Sequence, residues 1–211
     1  MQAPVAQLHA PVQRLPLIQA AADYARIKHA GQLRLDGTPF FEHPLEVAEL
    51  LELAGADDEL VAAGLLHDVL EKADGTEREL LARFGPRITE LVKAVTDDAS
   101  ITDWRKRKAA SRGRLRRNPD DAALALFAAD KISRIREVRA SPNPPPEPPV
   151  PRERTAHYLA CLHLIERRLP GTVLAATLRS EVAAHAQPVA PDAAIASSRS
   201  RYAVNRRSSP S

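Results

Sequence analysis

Apolar residues recur every three or four positions along most of the chain, the period of an amphipathic helix. No run of Val, Ile, Thr or aromatic residues alternates with polar ones as a half-buried strand would. The pattern predicts helices over 17–30, 43–54, 57–73, 77–84, 87–97, 102–116, 119–139 and 152–169, with a weaker one over 171–186. The punctuation between them has physical causes. Gly55 follows ELLELA as a left-handed helix end. Thr76 and Glu79 form a capping box that opens ERELLARF, and Gly85-Pro86 separates that helix from the next. Asn118-Pro119-Asp120-Asp121 reads as an N-cap, a proline in the first turn, and acids on the positive end of the helix dipole. The fold class expected is all-α, a compact multi-helix bundle.

Two segments break the pattern. SPNPPPEPPVP (141–151) carries seven prolines in eleven residues and is expected to be an extended polyproline spacer within the domain. Residues 187–211 are rich in Ser, Pro, Ala and Arg and are expected to be a disordered basic tail. The organisation expected is a flexible N-terminus over 1–15, one domain over 16–186, and that tail.

Composition narrows the class. With 211 residues, 44% apolar and 27% charged, the chain can bury a core without disulfides. The lone Cys161 closes no intramolecular bridge, which points to a reducing compartment and a cytoplasmic protein. No stretch reaches 18 apolar residues, so no membrane span is expected, and MQAPVAQLHAPVQRLP lacks the features of a secretory signal. The formal charge of +3 sits in the tail, where Arg199, Arg201, Arg206 and Arg207 oppose Asp192 and leave residues 1–186 neutral. A neutral body with a basic tail argues against a dedicated nucleic-acid binder.

The candidate chemistry lies in polar residues set among apolar ones. His43 opens the helix EHPLEVAELL, His67-Asp68 follows Leu65-Leu66, and Asp130-Lys131 follows LALFAA. A buried unpaired carboxylate is very costly. A divalent cation shared by two imidazoles and two carboxylates removes that cost for all four. Neighbouring helical positions differ by about 100°, so His67 and Asp68 can both lean toward one ion. A buried His–Asp hydrogen bond and an Asp–Lys pair would also satisfy these groups.

The ordered set His…His-Asp…Asp on an all-helical body resembles the HD-domain phosphohydrolase superfamily. The resemblance is closer to the hydrolase domains of RelA/SpoT-type alarmone enzymes and their small single-domain relatives. It rests on AADYARIKHAGQLRLDGTPFFEHPLEVAELL, GLLHDVLEKADGTERELLARFGPRITELVKAVTDD and LFAADKISRIREV, and it covers about residues 17–169. It implies that His43, His67, Asp68 and Asp130 ligate a divalent metal, usually manganese. It also implies that Arg34 packs near a nucleotide base, that Glu71 handles the attacking water, and that Lys131 and Arg136 match basic residues of the third block. His29, at a family-typical position, is expected to support the site rather than ligate. The implied substrate is a guanosine 3′,5′-bis(diphosphate)-type alarmone, cleaved at its 3′-pyrophosphate, or another phosphorylated nucleotide. The length left over holds no synthetase domain, so alarmone synthesis is not expected.

The chain departs from the family pattern around this set. Lys72 replaces the second acid of the Glu-Asp pair, Leu35 a lysine, Phe40 a tyrosine, Ser133 an aromatic or histidine, and Arg134 an asparagine. Lys72, four residues after Asp68, binds substrate phosphate, pairs with a carboxylate, or snorkels to solvent. WRKRKAASRGRLRR (104–117), with Arg107 and Lys108 foremost, contacts phosphates or forms a solvated face. Two classes follow: a metal-dependent nucleotide phosphohydrolase, or a metal-bearing protein that binds nucleotide with weakened catalysis.

Overall fold

The computed structural model describes residues 10–141 and 151–186. They form nine helices: α1 (Ala10–Lys28), α2 (Glu42–Leu53), α3 (Asp58–Leu66), α4 (Val69–Lys72), α5 (Glu77–Val95), α6 (Trp104–Arg117), α7 (Asp121–Ala140), α8 (Pro151–Arg168) and α9 (Val173–Ala186). Among the described residues there is no strand, only one isolated bridge between Leu33 and Pro39. The all-α expectation holds. The segments expected to be a polyproline spacer and a disordered tail lie outside the described residues but for their edges, Ser141 and Pro151.

Two helices organise the core. Residues Leu60–Leu66 of α3 are all buried, as expected of a helix apolar on every side. α3 packs against α1, α2, α5 and α7. α7 is the second centre, touching α2, α5, α8 and α9, with Leu124, Leu126, Ile132 and Ile135 fully buried. Since α3 ends at His67 and α7 carries Asp130, the polar candidates enter the middle of the bundle on its two most buried helices.

The predicted punctuation appears where its physics is local. Gly55 and Gly85 have φ of 80° and 82°. Thr76 and Glu79 form the reciprocal capping box. Three boundaries differ. The helix predicted over 57–73 breaks at His67–Asp68, where Asp68 (φ −96°, ψ −4°) leaves helical geometry and starts the short α4. The cap of α7 is Asp120, which accepts from Ala122 N at 2.9 Å. Asn118 instead ends α6 and accepts from Asp120 N in a local turn. α1 begins at Ala10, inside the segment expected to be flexible, with Pro16 within it. A proline forfeits one intrahelical hydrogen bond without always ending the helix.

Candidate metal centre and pocket

His43 stands in the first turn of α2 and is fully buried. Gly64 on α3 makes its approach possible. A Cβ there would lie 2.8 Å from Leu51 Cδ1 and 3.2 Å from Ala48 Cα, both on α2. The bare backbone lets α2 close on α3 and brings His43 against His67. Their Nε2 atoms are 3.2 Å apart. Asp68 Oδ2 is 3.4 Å from both nitrogens, and Asp130 Oδ1 is 3.4 Å from His43 Nε2 and 3.8 Å from His67 Nε2. All four candidate ligands therefore converge. The donor atoms of His43, His67 and Asp130 all lie within 4.8 Å of one another.

The hydrogen bonds fix both imidazoles. His67 Nδ1–H donates to the Gly64 carbonyl at 2.8 Å. His43 Nδ1–H donates to Ser133 Oγ at 2.8 Å, and that hydroxyl donates to Glu46 Oε2 at 2.6 Å. Both Nε2 lone pairs then face each other between two carboxylates. Such an arrangement needs a positive charge between the rings, and two imidazole nitrogens with carboxylate oxygens are a donor set suited to a divalent transition metal. The charges around the rings act accordingly. Burial pushes His43 down, toward the neutral form. Burial also opposes charge on His67, but the Asp68 carboxylate outweighs it and raises that pKa. Burial would raise both aspartates, yet His67 and Lys72 hold Asp68, and Lys131 and His43 hold Asp130, well below the usual carboxylate range.

The cluster forms one wall of a cavity of about 370 Å³. Lys72, Lys108, Lys131 and Arg134 line it together with Glu71, and Leu33, Phe40 and Tyr158 are among the apolar parts. Each cation is tethered. Lys72 Nζ donates to Asp68 Oδ2 at 2.7 Å and lies over the Phe40 ring at 5.0 Å. Lys131 Nζ donates to Asp130 Oδ2 at 2.6 Å, Lys108 to Asp97 Oδ2 at 2.6 Å, and Arg134 to Glu137 Oε2 at 2.6 Å. Glu71 Oε2 accepts from Asp97 N at 3.0 Å. His29, buried and packed on Phe40, which in turn packs on His43, contacts Gln32 Oε1 at 2.9 Å.

Three residues expected at the substrate do not line this cavity. Arg34 lies between Glu46 and Glu137, 3.8 Å from each. Arg136 bridges Glu46 at 3.0 Å and Glu181 at 2.8 Å. Arg107 donates to the Ile101 and Thr102 carbonyls. Acids distant in sequence claim Arg34 and Arg136, while Arg107 is held by nearby carbonyls and by Asp97 at 3.6 Å. The sequence reading also missed Glu46, Glu137 and His157. Glu46 does stand one turn after His43, the only local hint of its role.

A model of the HD domain matches residues 21–160. The chain belongs to the HD-domain family. Its HD domain is 40% identical over 135 residues to a probable guanosine-3′,5′-bis(diphosphate) 3′-pyrophosphohydrolase of Mycoplasma pneumoniae, a match covering 64% of this chain and 17% of that protein. It is 34% identical over 137 residues to a GTP pyrophosphokinase rsh of Brucella ovis, covering 63% and 18%. The chain thus spans less than a fifth of the length of these curated relatives. A solved metazoan orthologue of SpoT, described as hydrolysing ppGpp, superposes with a TM-score of 0.69 at 23% identity over 88% of this chain and 99% of that one. This likeness shows the shared fold. No helix among the described residues is long and apolar enough to cross a membrane.

Proposed function

We propose that this HD domain is a metal-dependent hydrolase that removes the 3′-pyrophosphate from guanosine 3′,5′-bis(diphosphate)-type nucleotides. The observation that carries the reading is the pair of Nε2 atoms of His43 and His67, 3.2 Å apart and flanked by Asp68 and Asp130, beside a lysine- and arginine-lined pocket. The Mycoplasma relative's name supplies the substrate class. His43, His67 and Asp130 would hold the metal with Asp68, and manganese suits the role. A bound divalent ion supplies charge that polarises a phosphoryl oxygen and acidifies water.

The chain's own groups do the rest. Glu71, facing the pocket from α4, takes a proton from the attacking water. Water adds to the phosphorus carried on the ribose 3′ oxygen, the bond to that oxygen breaks, and the 3′ oxygen takes a proton. GDP or GTP and inorganic pyrophosphate are the products. Lys131, Arg134 and Lys108 orient the phosphates, each already aimed into the cavity by its carboxylate partner.

One observation favours a second reading, nucleotide binding with weakened catalysis. Lys72 Nζ occupies the same Asp68 oxygen that faces the imidazoles. A nucleotide panel with added manganese, resolved by chromatography, separates the two. Release of pyrophosphate from the bis(diphosphate), lost in Glu71→Ala, is the expected result. Tight nucleotide binding without any turnover would overturn the hydrolase reading.

A further inference from the structure

The formal neutrality of the body conceals a segregation of charge. Along the seam of α6 and α8, a cavity of about 630 Å³ opens beside the metal pocket and shares Trp104, Lys108 and His157 with it. A further concavity of about 260 Å³ continues the seam and shares Arg112. From α6, Arg105, Lys108, Arg112 and Arg116 face this trough at spacings of three and four, one side of a helix. From α8, Arg152 and Arg167 face it. Between them the floor is small: Ala109, Gly113, Ala156 and Ala160.

Compensation is scarce there. Glu153 lines the trough and pairs with Arg105, and Lys108 is held by Asp97. Among the described residues, no carboxylate is paired with Arg112, Arg116, Arg152 or Arg167. Arg112 meets His157, which burial, with Lys131 and Arg112 beside it, pushes down to about 2, so the ring adds no negative charge and takes no proton. The arginines on the other side of α6 are used differently. Arg107 and Arg114 are spent on backbone carbonyls. The trough thus gathers four arginines without a carboxylate partner among the described residues, Arg112 and Arg116 from α6 and Arg152 and Arg167 from α8.

We propose that this trough binds single-stranded nucleic acid through its phosphate backbone, with Trp104 as a stacking face at the end next to the pocket. Arg105 and Arg116 are eleven residues apart, about 16 Å along α6 at 1.5 Å per residue, and of the trough's cations only Lys108 also lines the metal pocket. A single strand offers the indole unpaired bases, which a duplex withholds. The indole, 5.4 Å from the His157 ring and lining both cavities, supplies the aromatic surface that distinguishes a base-bearing strand from a bare polyphosphate. The six cations contact phosphates without reading sequence.

Trp104 is the single tryptophan of the chain, so its fluorescence reports occupancy directly. The full chain is titrated with twelve-nucleotide oligo(U), oligo(dT), a duplex of the same length, and inorganic polyphosphate. Saturable quenching is expected with a single strand and not with duplex or polyphosphate, and the tighter of oligo(U) and oligo(dT) names the source. With about six phosphates neutralised, log K should fall against log salt with a slope near −4. The variant carrying Arg116→Glu, Arg152→Glu and Arg167→Glu should bind at least tenfold more weakly with a shallower slope, and keep its helical circular dichroism and nucleotide turnover. The proposal fails if no single strand binds at low salt, if duplex or polyphosphate binds as tightly without quenching, or if the folded triple variant binds like the parent.

Discussion

Ser133→Ala is the sharpest test of how the centre is built, because Ser133 would touch no metal and no substrate. Its hydroxyl is the sole connection drawn between His43 Nδ1 and Glu46, at 2.8 and 2.6 Å, around an imidazole with no solvent exposure. Alanine leaves the Nδ1–H without an acceptor and one Glu46 oxygen without a donor. An orphaned buried donor costs about 1–3 kcal/mol. The tautomer is also released: a proton that moves to Nε2 blocks the lone pair the metal needs. Losing an outer partner of a ligating histidine typically lowers metal affinity about 10–100-fold. The orphan cost itself lowers stability with and without metal, so the affinity loss comes from the released tautomer. Calorimetric titration of the chelator-stripped protein with manganese, beside thermal melts of both forms, measures the effect. Glu46→Gln keeps an acceptor for the hydroxyl, so its affinity should fall between wild type and Ser133→Ala. A folded Ser133→Ala protein that binds manganese within twofold of wild type would show that the serine does not orient His43.

Other consequences follow from the same contacts. Asp130→Ala should bind no stoichiometric manganese and lose the metal-dependent rise in melting temperature, which for wild type at 100 times Kd corresponds to about 2.7 kcal/mol; equal metal content in both proteins by elemental analysis would exclude the site. Gly64→Ala should force α2 away from α3 at Ala48, cost about 1–3 kcal/mol by denaturant melts, and weaken metal binding with it. His157 has its pKa pushed down from 6.5 to about 2, so its contribution is present above pH 6.5 and is lost as pH falls, because the unfolded chain takes up the proton first. Stability should therefore drop below pH 6.5 more steeply in wild type than in His157→Gln, by up to about 1.4 kcal/mol per pH unit; parallel curves would remove His157 from the acid sensitivity.

Much of this was legible because it is local. The helices appear in their periodicity, Thr76 and Glu79 cap as three-residue spacing requires, and the four candidate ligands stand out as polar residues inside apolar runs. The break at His67–Asp68 was not legible, since the apolar run LVAAGLLHDVL crosses it without Gly–Pro punctuation. The distinction between Arg134, which lines the pocket, and Arg136, which does not, was also hidden. Two residues apart on α7 they point some 200° apart, and Glu181 and Glu46, which capture Arg136, are 45 and 90 residues away in sequence. The sum of charges likewise hides where they lie: acids elsewhere in the body cancel the basic α6 in the total but not in space.

The two aspartates differ in a way that bears on the edited position 72. Asp130 divides its oxygens, with Oδ2 on Lys131 and Oδ1 toward the imidazoles, so its ligand atom is free. Asp68 offers one oxygen to both purposes: Oδ2 faces His43 and His67 at 3.4 Å and accepts from Lys72 at 2.7 Å. A cation entering the centre therefore shares that oxygen with Lys72, at a cost in affinity, or displaces the lysine from it. A charge-assisted hydrogen bond of this kind contributes about 1.5–3 kcal/mol, which corresponds to about 10–150-fold in apparent affinity. Lys72→Met keeps the stem over Phe40 and removes the competitor. Manganese should bind at least tenfold more tightly, while the metal-free protein melts lower because Asp68 has lost a partner. Lys72→Asp, which restores an acid at this position, should raise turnover of the bis(diphosphate) as well. If Lys72→Met binds manganese more weakly than wild type, Lys72 does not compete for Asp68 in the loaded protein. If Lys72→Asp turns over more slowly, the lysine acts on the substrate phosphate instead.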